Sequence, residues 1–115
     1  MRTWGYAMSE RRREERAPAR MKVTHILDEQ RACECFVEDL SVDGMRVRRL
    51  DDSEWGTPRH VWLRFELPDG GEPIQALGEL RHDGGPVRGF RFKYIFPKAR
   101  RRYEAFVQAH LLGAA

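Results

Sequence analysis

The chain has no run of about 18 apolar residues, so no segment reads as a membrane-spanning helix and no membrane insertion is expected. Its first residues lack the apolar stretch of an export signal, and the cytoplasm is the default expectation. Cysteine is scarce. Cys33 and Cys35 stand one residue apart, which in a strand puts both side chains on one face and disfavours a mutual disulfide. No partner pair at matching spacing accompanies them, so no metal site is expected and the two read as buried or half-buried free thiols. Histidine is scattered as His25, His60, His82 and His110, with no H-x-x-x-H pair and no nucleophile beside any of them. General base, nucleophile and metal set are all missing, so the chain is not expected to be an enzyme.

What is present suits one soluble globular domain: 115 residues, 41% apolar and 34% charged. The net charge of +3 is unevenly spread. Residues 1–20 hold six Arg against three Glu, and the remainder balances. A second basic cluster, Arg88, Arg91, Lys93, Lys98 and Arg100 to Arg102, contains no acid. Two local basic patches on a balanced body suit a compact anionic ligand as readily as a long nucleic acid.

From Met21 the apolar period is two. Met21, Val23, His25 and Leu27 alternate with polar neighbours and predict a strand. A turn at 28–30 leads to a second strand over Cys33 to Leu40, with Cys33, Cys35 and Val37 on one face and Phe36 and Leu40 on the other. Met45 and Val47 mark a third, followed by a polar loop over Asp51 to Pro58 that holds Trp55. Val61, Leu63, Phe65 and Leu67 alternate through a fourth. Pro68-Asp69-Gly70-Gly71 and Asp83-Gly84-Gly85 are hairpin turns on either side of a fifth over Ile74 to His82. Phe90, Phe92, Tyr94 and Phe96 are expected to face inward from a sixth. Pro97 then opens a helix in which Tyr103, Phe106, Val107, His110 and Leu111 form one apolar stripe, and Gly113 stops it. The expected fold is mainly β: a six-stranded antiparallel barrel, closed or split-barrel-like, with a C-terminal α-helix, because closure removes exposed strand edges.

Two stretches carry the candidate chemistry. Glu10 to Arg20 places five arginines in eleven residues and contains no lysine. A guanidinium forks onto guanine O6 and N7, clamps a phosphate, or stacks on a base. Arg12 and Arg16 are four apart and can wrap one ligand together; the alternative is a solvated charged arm. The second stretch is Asp39-Leu40-Ser41-Val42-Asp43-Gly44, at the junction of two strands. Asp39 can accept two hydrogen bonds from N–H groups such as a guanine Watson–Crick edge, and Ser41 can donate to a phosphate or cap the turn. Gly44 permits a positive φ or close approach of a ligand to the backbone. The plainer alternative is an Asp/Ser/Gly turn. Trp55 and Trp62 could stack on bases, though packing is the commoner fate of a strand tryptophan. Arg100 to Arg102 open the helix against its dipole, on solvated surface or at a binding face.

Taken together, these stretches resemble the PilZ domain, a bacterial receptor module for cyclic di-GMP. Arg12-Arg13-Glu14-Glu15-Arg16 fits that family's R-x-x-x-R, and Ala17-Pro18-Ala19 follows as in the family. Asp39, Ser41 and Gly44 fit its (D/N)-x-S-x-x-G, and Gly89-Phe90-Arg91-Phe92 before the helix resembles its closing strand. The resemblance spans residues 9–112: arm 9–20, barrel 21–96, helix 97–112, with 1–8 as a preceding arm.

The resemblance implies that Arg12 and Arg16 bind phosphate and guanine, that Asp39 and Ser41 hold the guanine edge, and that Gly44 allows close approach. Arg11, just before the motif, adds a stacking or phosphate contact and bears on whether one or two ligands stack. Arg16 and Arg20 share the same spacing, and a shifted register would replace Arg12 by Arg20; Pro18 suits Arg16 as the motif's last arginine. The implied output is conformational: the arm orders on the barrel when cyclic di-GMP arrives and presents a surface to an effector protein in motility, polysaccharide or biofilm regulation. Two alternatives remain: a protein-interaction adaptor that no longer binds the nucleotide, and a small barrel for single-stranded nucleic acid. The second lacks a clustered aromatic platform, and no long nucleic acid is expected as partner.

Overall fold

A computed structural model of the chain describes residues 21–111. Six strands, β1 (Lys22–Asp28), β2 (Arg31–Ser41), β3 (Gly44–Arg49), β4 (His60–Phe65), β5 (Ile74–Asp83) and β6 (Val87–Ile95), precede one helix, α1 (Pro97–Leu111). The strands close into an antiparallel barrel in the order β1-β2-β3-β6-β5-β4, so each strand edge is paired. The expected six-stranded barrel with a C-terminal helix is the observed fold. No helix among the described residues is long and apolar enough to cross a membrane.

Alternation builds the core. Val23, Cys35, Val47, Leu63, Ile74 and Phe90 come from the six strands in turn and meet inside. Helix α1 adds Tyr103 and Val107, both fully buried, while Phe106 and His110 of the same stripe are half-buried. Arg102 fixes the helix to the β4–β5 turn through Asp69, with Nε and Nη2 at 3.0 and 2.8 Å from its carboxylate. Its Nη1 donates to the Glu72 carbonyl at 3.0 Å. Arg100 pairs with Glu104 one turn along, at 3.5 Å.

Two expected faces are corrected by bulges. In β2, Val37 faces Val47 and Asp39 faces Arg46, so Glu38 is an extra residue in the ladder. Leu40 therefore joins Cys33, Cys35 and Val37 in the core instead of lying opposite them, and Asp39 is turned outward. In β6, Gly78 faces Phe92 and Leu77 faces Tyr94, which makes Lys93 the extra residue. The inward phase passes to Ile95, and Tyr94 and Phe96 lie outside, 44% and 62% exposed. Their rings pack edge to face at 5.2 Å.

Candidate functional site

The D-x-S-x-x-G segment forms the β2–β3 hairpin, with Ser41 facing Gly44 across the two-residue turn Val42-Asp43. Its three motif residues have different duties. Ser41 Oγ accepts from the Asp43 amide at 3.3 Å, the local bond that favours serine in turns. Gly44 does not take a left-handed φ. Glycine is needed here because a Cβ would run into the Phe90 carbonyl of the paired strand β6. Asp39, aimed outward by the bulge at Glu38, faces Arg46 in register, and Arg46 Nη1 lies 3.8 Å from its Oδ2.

The register extends this outer face onto β6. Arg46 faces Gly89, and Gly44 faces Arg91. Residues directly opposite across antiparallel strands share a face. Gly44 and Gly89, both buried, thus lie in register between Asp39, Ser41, Arg46 and the exposed Arg91. A carboxylate acceptor, a hydroxyl and two guanidiniums on one face can receive a planar base edge and an anionic group together. Arg46 Nε is buried and has no hydrogen-bond partner among the described residues. Arg46 was not singled out from the sequence. Its position two residues after Gly44 on a strand is the signal that places it on the motif's face.

The hairpin is tied from below. Tyr103 Oη of α1 lies 2.8 Å from the Ser41 carbonyl and 3.0 Å from the Gly44 carbonyl. The Phe92 amide donates to the Asp43 carbonyl at 2.8 Å. Burial, and then the Asp39 and Asp43 carboxylates, push the Tyr103 pKa well above the usual phenol value, so the hydroxyl keeps its proton.

Arg11, Arg12 and Arg16, with the alternative Arg20, lie outside the described residues. Two further sequence candidates, Arg88 and Trp55, are structural. Arg88, grouped above with the surface cations, is 2% exposed. Its guanidinium stacks over Trp55 at 4.2 Å from the ring centroid and donates to the Trp55 carbonyl at 3.0 Å and to the Gly56 carbonyl. It also meets His25 Nε2 and Asp83 Oδ2, each at 3.2 Å. Trp55 is thereby buried and unavailable for base stacking. Burial, then the Arg88 charge, lower the His25 pKa to about 4. Both cysteines are buried free thiols whose pKa values burial raises, unlike reactive thiols. No group of three or more His, Cys, Asp or Glu suited to a metal ion occurs among the described residues.

Comparison with known proteins supplies the family. The sequence model of the PilZ domain matches residues 10–109, a span that includes both the arginine arm and the hairpin. Among solved structures, the chain is similar to the PilZ domain of CeSA from a cellulose-synthesising bacterium, with 21% identity and a TM-score of 0.56. That alignment covers 84% of this chain and 93% of the other. No curated protein matches the chain. A closed six-stranded barrel, a D-x-S-x-x-G hairpin facing outward from it, and a family match over most of the sequence agree: the chain belongs to the PilZ domain family of cyclic di-GMP receptor modules.

Proposed function

We propose that this PilZ domain is itself a cyclic di-GMP receptor and carries no catalytic step. The observation that carries the proposal is the outward turn of Asp39 at the Glu38 bulge, beside Arg46 and on the face shared with Ser41 and Arg91. Strict alternation from Val37 would have put that carboxylate in the core. In the proposed complex Asp39 accepts from a guanine N1–H and exocyclic amine, and Ser41 meets nearby polar atoms. Arg12 and Arg16 of the arm clamp phosphate and stack on or fork to guanine, and Arg11 adds a further contact. Arg46 and Arg91 add positive charge to the same face. Closing of the 9–20 arm over the ligand changes the surface offered to an effector protein in the cytoplasm, in a motility, polysaccharide or biofilm pathway.

Isothermal titration tests this. Cyclic di-GMP should give saturable heat with the full chain, and Arg16→Ala and Asp39→Ala should each weaken affinity at least tenfold. Arg12→Ala against Arg20→Ala decides the register, since the residue inside the motif is the one whose loss weakens binding. No heat with the wild-type chain, or unchanged affinity in Arg16→Ala and Asp39→Ala, rejects the proposal.

A further inference from the structure

Helix α1 touches both turns at its end of the barrel with two consecutive residues. Arg102 holds the β4–β5 turn through Asp69 and the Glu72 carbonyl. Tyr103 holds the β2–β3 hairpin, and its two acceptors, the Ser41 and Gly44 carbonyls, bracket Val42-Asp43. The Tyr103 ring is fixed by edge contacts with Phe92 and Phe65, at centroid distances of 5.2 and 5.7 Å. The hydroxyl therefore has little freedom to follow the hairpin if the hairpin shifts. Its acceptors belong to the residues whose side-chain side forms the candidate ligand face.

We infer that Tyr103 is a positioning residue for the ligand site, and that its hydroxyl couples occupation of the D-x-S-x-x-G hairpin to helix α1. The inference rests on the proposal that this hairpin binds cyclic di-GMP. A ligand drawing on Asp39 and Ser41 shifts the backbone between them and the turn. The two carbonyls move with it, and the shared hydroxyl passes the displacement to a helix anchored one residue earlier on the neighbouring turn. The coupling is reciprocal: a helix that holds the hairpin in its binding geometry raises affinity, and a bound ligand tightens the helix. Packing needs only the ring, and the ring would be served by phenylalanine. The hydroxyl needs a reason of its own, and the paired carbonyls supply it.

The test is Tyr103→Phe in the full chain, which keeps the ring and removes the donor. Affinity for cyclic di-GMP should fall about tenfold while circular dichroism is retained. Amide exchange at Val42, Asp43 and Gly44 should accelerate in the ligand-free variant. In the wild-type chain, cyclic di-GMP should slow exchange across residues 100–107, and Tyr103→Phe should lose that response. Equal affinity and an equal helix response in Tyr103→Phe overturn the inference, because a packing role alone predicts both. If the wild-type chain does not bind, the receptor proposal fails, and unchanged exchange at 42–44 in Tyr103→Phe then removes the positioning role as well. If the variant does not fold, the wild-type response of residues 100–107 decides the coupling, and its absence overturns it.

Discussion

The two ends of the barrel are closed by opposite chemistry. At the hairpin end a neutral group does the work: the single Tyr103 hydroxyl proton is shared between two carbonyl acceptors, beside the aromatic rings of Phe65 and Phe92. At the far end β3 runs out into the 50–59 loop, which folds Trp55 into the core, and the plug is charged. Arg88 is held there by two loop carbonyls, His25 and Asp83. A buried guanidinium stripped of water tolerates the loss of few partners. A hydroxyl bond to a carbonyl is worth about 1 kcal/mol net, within reach of a ligand's binding energy. The far end thus tolerates fewer losses than the hairpin end.

Breaking the charged end should cost most. Arg88→Ala takes the guanidinium from the buried Trp55 carbonyl and the half-buried Gly56 carbonyl and removes the cation above the indole. It should destabilise the fold on the order of 4 kcal/mol, measured by urea unfolding. A loss as small as that of a surface arginine would show that both ends are equally yielding.

Acid attacks the same end through His25. The folded pKa lies near 4 against 6.5 for the ordinary group, so the ring is neutral in the fold and binds its proton more readily once unfolded. Its contribution to stability is full above about pH 6.5 and is lost as pH falls from there towards 4, by up to roughly 3 kcal/mol. Unfolding of wild type and His25→Gln across that window should show a shallower pH slope in the variant, while the Tyr103 contacts contribute none of the difference.

The smallest effect is expected at the exposed brace of the hairpin end. The Arg102 hydrogen bonds, and then the Gly71 amide, lower the Asp69 pKa to about 2, yet both side chains remain open to solvent. Asp69→Asn should shift the Tm only slightly, with a difference that shrinks further in high salt. Amide exchange should change at the start of α1 and at 69–72, and not in the 50–59 loop.

Much of the fold was legible because alternation and turn chemistry are local. Val61 to Phe65 carries its period openly, and the glycine turns at 70–71 and 84–85 stand where the hairpins turn. The candidate hairpin was legible as a pattern, but the reasons for its residues were not. Gly44 is glycine because a Cβ would meet the Phe90 carbonyl of the neighbouring β6, and Asp39 faces out because Glu38 is an extra residue opposite β3. Arg88 looked like one more surface cation, and Tyr103 like one more apolar stripe residue. The partners of Arg88 stand 63, 33, 32 and 5 residues away and those of Tyr103 62 and 59, so nearly all of these bonds are brought together only by the closed barrel.

By itself, then, the sequence determined the strands, their turns, the terminal helix and the family motifs, because each depends on side chains within a few residues of one another. Only the tertiary structure decided which face Asp39, Leu40 and Tyr94 present, since a bulge is a mismatch between two strands and neither strand contains it alone. It also decided that one barrel end closes on a charge and the other on a hydroxyl beneath the candidate binding hairpin. That choice depends on which distant backbone carbonyls are left buried when the barrel shuts.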